Sequence, residues 1–397
     1  MRVIVTCERR FKRTPDGQYW TSSSGSYEFW KRYLDGFDEV CVLSRAEDVE
    51  RREDGWKCAA GPGVSVAPLP TYIGLRGYLK TWFQVRSAIR GMLRPDDAII
   101  MRIPGTVGTT LHSLIKSSGR PFGVEVTGNP AFGYAPGAIS SPLRPLLRQV
   151  ICSGLREQCF GASASSYVTE YTIQSLFPPS SAAFTTHYSS VDLRADQLAR
   201  APRPADVSDR KRIFSSVGTM DTRSKGFLDM VRALKLCLDR GLDFELRLIG
   251  GGRERGWIES QARELLGDRV VFLGELPGSE AVVEALCETD IFLFASRNEG
   301  LPRVMIEAMS LALPCISTAV SGTVELVPEE DLVPIGDEAA LAAKIEEVAG
   351  DAHRQERMSA RNLEKAREFV DSALEPRRRA MYRSLAETTA AHNGRRA

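Results

Sequence analysis

Short apolar runs alternate with segments whose apolar residues recur every three or four positions along most of this 397-residue chain. In the first half, RVIVTC, EVCVLSR, SVAPLP, AIIMRIP, FGVEVTG and SSYVT read as short buried strands. Between them, YLKTWFQVRSAIRGMLR and TTLHSLIKSSG read as helices. From Val191 to Arg212 the texture changes: VDLRADQLARAPRPADVSDRKR is polar, carries two prolines and lacks apolar periodicity, as a linker would. A second alternating series follows, with strands RIFSSVG, FELRLIG, RVVFLG, DIFLFAS and PCISTAV. Its helix FLDMVRALKLCLDRG places Phe227, Met230, Val231, Leu234 and Leu238 on one face, and Gly241 suits its C-terminal cap. The end of the chain is charged and helical in pattern. The expected fold class is therefore α/β, with two doubly wound, Rossmann-like domains facing a cleft. The expected boundaries are an N-terminal domain over 1–195, a linker over 196–212 and a C-terminal domain over 213–375.

Charge and cysteine content narrow the function. With 52 basic and 51 acidic residues the formal net charge is +1, so no global field gathers nucleic acid. None of the eight cysteines forms a C-x-x-C pair, which argues against metal knuckles and redox motifs. The start MRVIVTCERR lacks the apolar stretch and cleavage site of a signal peptide. No apolar run reaches the roughly 20 residues that span a bilayer, so the cytoplasm is the expected location.

Most catalytic signatures are missing. LIGGGRERG follows a strand, but a dinucleotide fingerprint would need glycine where Arg255 stands. Neither a Walker loop, a G-x-S-x-G elbow nor H-E-x-x-H occurs, and no D-x-D is present to hold a sugar nucleotide through a metal. What remains is SRNEGLPRVMIEAMS, in which Glu299 and Glu307 flank a Gly-Leu-Pro turn just after the strand DIFLFAS. Pro302 suits the first turn of a helix, and free amides just after Gly300 would bind phosphate. Glu307 would lie about 7 Å along the axis, its side chain leaning back toward the helix start. Two carboxylates around a phosphate-binding turn match the ribose, diphosphate and hexose of a nucleotide sugar. Acidic residues also favour helix starts through the dipole alone, which accounts poorly for Glu307 on its mostly apolar helix.

This stretch resembles the E-x7-E motif of the family 4 retaining glycosyltransferases, which have the GT-B fold. VGTMDTRSKGFLDMVRAL, LRLIGGG, VVFLGELP, DIFLFASRNEGLPRVMIEAM and LPCISTAVSGTVELV follow in that family's order, and the likeness is strongest from about Ile213 to Val327. The resemblance implies that Glu299 contacts hydroxyls of the donor sugar. It implies that Gly300, Leu301 and Pro302 frame sugar and phosphate, with Arg303 on the same donor-binding turn. Glu307 would bind the ribose, Lys225 would neutralise the diphosphate and assist the leaving group, and the backbone near Leu276 would lie by the base. Thr219 stands where the family usually has an arginine, and Arg223 is a substitute for it. Gly25, in TSSSGSYEFW, would let the backbone approach the diphosphate. The family's histidine near the donor sugar has no counterpart; Glu125, Thr127 and Asn129 are the local candidates, and Arg102 and Asn129 fall on the acceptor side. The C-terminal helix, 376–397, would return to the N-terminal domain.

The implied reaction is retaining transfer from a nucleotide sugar to a glycan or lipid-linked glycan in surface polysaccharide or glycolipid assembly. It would run by front-face displacement without cofactor or metal, and with no nucleic-acid partner. Arg86, Arg90 and Arg94 form a stripe on a helix that also carries Trp82 and Phe83. That stripe is either a contact with the inner face of the plasma membrane or a solvated face over a buried aromatic pair. The alternatives to a transferase are a non-catalytic binding or partner subunit of the same fold, suggested by Thr219 and the absent histidine, and a nucleotide-sugar epimerase acting on donor alone.

Overall fold

The computed structural model describes residues 1–22, 25–133, 143–205, 210–276 and 278–395. The chain forms two compact units, one of Met1–Pro130, Ser141–Tyr188 and Pro376–Ala397, the other built on Ser189–Glu375. The contact boundary thus falls at Tyr188, and of the stretch read as linker, 206–209 lie outside the described residues. Before them, Ala199 donates its amide to Ser310 O (2.7 Å) and the Arg203 guanidinium donates to the carbonyls of Leu311, Cys287 and Thr289, all within the second unit.

The first unit begins with β1 (Arg2–Arg13), β2 (Tyr19–Thr21), α1 (Tyr27–Trp30), β3 (Glu39–Asp48), β4 (Lys57–Cys58) and β5 (Val64–Leu69). It continues through α2 (Gly74–Met92), β6 (Ala98–Ile103), α3 (Thr106–Ile115), β7 (Gly123–Val126) and α5 (Arg144–Gly161) to β8 (Ala164–Tyr167), α6 (Thr172–Leu176) and β9 (Phe184–His187), while of the short α4 (Pro130–Gly133) only Pro130 counts with this unit. Strands β5-β3-β1-β6-β7-β8-β9 are parallel neighbours, while β2 and β4 add an antiparallel flap on the end of β1. β1 outruns its apolar stretch because Phe11 is buried and Lys12 and Arg13 pair with Glu47 and Asp48 of β3 at 2.7 and 2.5 Å.

From β5 through β6 and β7 to β8 the chain advances in one direction across the sheet, so right-handed crossovers place α2, α3 and α5 on the same face. α3 is the central, mostly buried helix. Tyr78 and Arg86 of α2 bond Thr110 and Ser113 at 2.6 and 2.7 Å, and Gln158 of α5 donates to Thr109 at 3.2 Å.

The second unit runs β10 (Arg212–Val217), α7 (Phe227–Asp239), β11 (Phe244–Ile249), α8 (Arg255–Leu266), β12 (Val270–Gly274), α9 (Gly278–Leu286), β13 (Ile291–Phe294), α10 (Arg303–Ser310), β14 (Cys315–Thr318) and β15 (Leu332–Val333). Helices α11 (Glu338–Gly350), α12 (Ala352–Arg367) and α13 (Asp371–Gly394) follow. Phe227, Met230, Val231 and Leu234 of α7 are buried, Leu238 is partly so, and Gly241 takes a left-handed φ of 95° just past the helix. The sheet is wholly parallel, in the order β12-β11-β10-β13-β14-β15. The chain leaves β10 on one side and returns to its other side at β13, so the topological switch point lies between β10 and β13. α13 crosses from one unit to the other at Pro376. Its later turns pack in the first unit, where the Tyr382 ring stacks on Tyr33 at 5.0 Å and Met381 and Leu385 press on Gly123.

Candidate active site at the switch point of the second sheet

Three glycines bring the loops after β10, β11 and β13 together. Gly226, at φ 67°, starts α7 so close to β13 that an added Cβ would lie 1.9 Å from Ala295 O. Gly250 and Gly252, at φ 136° and 144°, leave equally little room beside Gly218 O and the Asp221 amide. Only glycine satisfies both the dihedrals and the approach. Arg297 N then donates to Ser224 O at 2.7 Å, locking the β13 loop to the β10 loop. The Arg297 guanidinium makes a bidentate pair with the buried carboxylate of Asp229 on α7 at 2.9 and 2.8 Å.

The locked loops place Lys225 Nζ 2.5 Å from Glu299 Oε1. Ser296 Oγ donates to the same carboxylate oxygen at 2.7 Å. The side chains of Lys225 and Glu299 keep 23% and 12% of their exposure, so the ammonium retains protons, and the carboxylate a second oxygen, for a ligand. Pro302 is the N-cap of α10 (φ −73°, ψ 109°), one position earlier than the first-turn place expected, and no side chain caps the helix. The amides of Arg303 and Val304 therefore lack intrahelical acceptors, whereas Met305 N already bonds Pro302 O at 3.2 Å. Gly322 fixes the preceding turn: its amide donates to Gly300 O at 2.8 Å, and a Cβ there would stand 2.4 Å from that oxygen.

Glu307 lies one turn into α10, half-buried, with no hydrogen bond or ion pair to its carboxylate among the described residues. Burial pushes its carboxyl above the usual Glu range, against the opposing pull of Arg303, and Asp192 adds to the rise. Arg303 itself is exposed. A half-buried acceptor without a donor suits a ligand that brings two hydroxyls.

The other candidates on this unit sit around these groups. Thr219 is exposed and turns its hydroxyl to Asp221 at 2.9 Å. Arg223 lies flat over Trp257, 3.7 Å from the ring centroid, and bonds Glu254 at 3.3 Å, so its guanidinium is held by α8. Leu276 is half-buried on the loop after β12. Sequence reasoning missed Ser296, Arg297, Asp229 and Gly322; the first two lie inside the stretch already singled out by its glutamates.

The remaining candidates belong to the first unit. Gly25 has φ 104°, and its carbonyl accepts from Trp30 Nε1 at 2.7 Å. Arg102 and Glu125 are register partners on β6 and β7 and form a buried ion pair. Tyr33 OH donates to one Glu125 oxygen at 2.7 Å and Tyr188 OH to the other at 2.9 Å. Burial, then the Glu125 charge, push the Tyr33 hydroxyl up to about 12. Thr127 bonds Ile103 O at 3.1 Å, and Asn129 is buried.

Comparison with known proteins decides what this arrangement belongs to. Residues 211–351, which hold Lys225, Glu299 and Glu307, match the family model described as glycosyl transferases group 1. That match spans 141 of the 397 residues. The whole chain is 21% identical to protein CapJ of Staphylococcus aureus over 84% of this chain and 82% of that one. It is 29% identical to the 2-deoxystreptamine glucosyltransferase of Streptomyces kanamyceticus over 72% and 79%. Among solved structures it matches the sucrose-phosphate synthase of Thermosynechococcus elongatus with a TM-score of 0.70, at 18% identity and over 98% and 100% of the two chains. HepE of Anabaena, in complex with UDP-glucose, matches with a TM-score of 0.65 at 15% identity over 98% and 100%. The fold of the chain is GT-B, and the matched residues include the Glu307 carboxylate, unpartnered among the described residues, and the lysine–glutamate pair.

Proposed function

We propose that the chain is a retaining hexosyltransferase that moves a sugar from a nucleotide sugar to a glycan or lipid-linked glycan in surface polysaccharide assembly, with the lipid-borne acceptor met at a membrane surface. The observation that carries this reading is the Glu307 carboxylate, unpartnered among the described residues, one helical turn beyond an uncapped helix start on the helix that follows the Lys225–Glu299 pair. Glu307 accepts the two ribose hydroxyls. The amides at the start of α10 hold the distal phosphate, and Arg303 adds charge at the same turn. Lys225 leaves Glu299 for the diphosphate and stabilises the negative charge that develops as the sugar departs, while Glu299 takes sugar hydroxyls. The departing phosphate oxygen accepts the proton of the attacking acceptor hydroxyl on the same face, so no enzymic nucleophile is required. Chemistry of this kind relies on charge stabilisation and positioning, which suits a site without a poised base. No metal or cofactor takes part in this reading.

The relatives support the substrate class: other similar proteins include putative colanic acid and amylovoran glycosyltransferases, and the solved complexes with UDP-glucose make UDP-sugars the first donors to try. The test is transfer from a donor panel with the anomeric configuration of the first product read by NMR. Retained configuration, lost with Lys225→Ala, supports the reading; inverted product rejects retention, and acceptor-independent conversion of donor assigns an epimerase. Donor binding without transfer to any acceptor would favour the non-catalytic alternative.

A further inference from the structure

We infer that the outer faces of α2 and α5 form one docking surface for an anionic lipid bilayer. Leu75, Leu79 and Phe83 follow one another at four-residue spacing along α2, and Leu146 and Val150 do so on α5. All five are exposed: Leu79 by 63%, Phe83 by 78% and Val150 by 59%. Both helices flank α3 on the same face of the sheet, and both start at the carboxyl edge of the strands, the edge to which Arg102 and the loop of Asn129 belong.

The charge around these side chains is one-sided. No Asp or Glu occurs between Asp54 and Asp96, and none between Glu125 and Glu157, although the whole chain is nearly neutral. Arg76, Lys80, Arg90 and Arg148 are exposed on these helices, without an ion-pair partner among the described residues. Large apolar side chains interleaved with cations, with Glu157 near the end of α5 as the one carboxylate on either helix, fit the boundary between phosphate headgroups and acyl chains, where apolar residues enter and cations meet phosphate. A protein partner of ordinary composition would not select against every carboxylate over two separate stretches.

The surface differs from the one expected from the arginine stripe. Arg86 turns inward to Ser113, with its guanidinium 5.3 Å from the Trp82 ring, and Arg94 lies 3.9 Å from Glu39. Phe83 faces outward rather than forming a buried aromatic pair. Docking by the carboxyl edge would hold a lipid-linked acceptor beside the acceptor end of the first unit; that consequence rests on the function proposed above, whereas bilayer binding itself does not.

The test is flotation of the full chain with vesicles of phosphatidylcholine containing phosphatidylglycerol, and with phosphatidylcholine alone. Binding is expected only with the anionic vesicles and to weaken with salt. Leu79→Ser/Phe83→Ser/Leu146→Ser and, separately, Arg76→Gln/Lys80→Gln/Arg90→Gln should each lower the partition coefficient by about tenfold or more. These positions are exposed, and unchanged UDP-sugar binding and melting temperature verify that the fold and the donor site are intact. Absence of vesicle binding, or equal binding by wild type and both variants, overturns the proposal, as does concentration-dependent dimerisation that the apolar variant abolishes.

Discussion

Two cation–glutamate pairs, Arg102–Glu125 on the first unit and Lys225–Glu299 on the second, are built for opposite ends. Arg102 and Glu125 are neighbours in strand register, buried, and closed over by Tyr33 and Tyr188, so that both Glu125 oxygens are taken. Lys225 and Glu299 come from loops after different strands, stay partly exposed and keep bonding capacity to spare. A charge pair whose oxygens are each held by donors inside the protein chiefly holds the protein together. One that is half satisfied can exchange its partner for a ligand.

Breaking each pair should therefore produce different losses. Glu125→Ala leaves Arg102 buried without its counter-charge and should cost about 3–5 kcal/mol of stability, read by denaturant unfolding. Loss of turnover at full stability would show that Glu125 acts in catalysis instead. Lys225→Ala should cost at most about 1 kcal/mol of stability, as partly exposed pairs do, but lower kcat by about 10²–10³. Glu307→Gln should weaken donor binding by about tenfold to a hundredfold, the size of lost bonds to a charged acceptor, measured by calorimetry. Arg223→Ala should change donor affinity by less than about threefold, since its guanidinium is already spent on Trp257 and Glu254.

The pH dependence follows from the same carboxylate. Because the folded chain raises the Glu307 pKa, the native state takes up this proton before the unfolded chain does, and ionised Glu307 costs stability at pH above the usual Glu range. Glu307→Gln should thus raise the melting temperature of the ligand-free protein at neutral pH, and this gain should vanish as pH falls below the ordinary Glu value. In the wild type, donor affinity should fall on acidification beginning above that value. A mutant destabilised at neutral pH would contradict the account of Glu307 as an unsatisfied acceptor.

How far the sequence shows these regions depends on how local the signal is. The longer strands of both sheets, the buried stripe of α7 and the turn carrying Glu299 and Glu307 are written in short-range patterns, whereas β2, β4, β9 and β15, each of two to four residues, are not. The Lys225–Glu299 contact is not, because 74 residues separate its partners and three glycine-mediated close approaches bring them together. The Arg102–Glu125 pair left a trace, one charge inside each of two apolar strands, but their pairing required the register of β6 on β7. Arg86 and Arg90 look equivalent in sequence; only the position of α3 decides that one bonds Ser113 and the other faces outward.

The central claim is that the cluster at the switch point between β10 and β13 is a nucleotide-sugar site. Calorimetric titration of wild type, Lys225→Ala and Glu307→Gln with a panel of nucleotide sugars, beginning with UDP-sugars, tests it most directly. The account predicts that one donor binds selectively to the wild type and that each substitution weakens it by at least about tenfold. Binding that is equally tight in all three proteins, or no binding of any donor to the wild type, would contradict it.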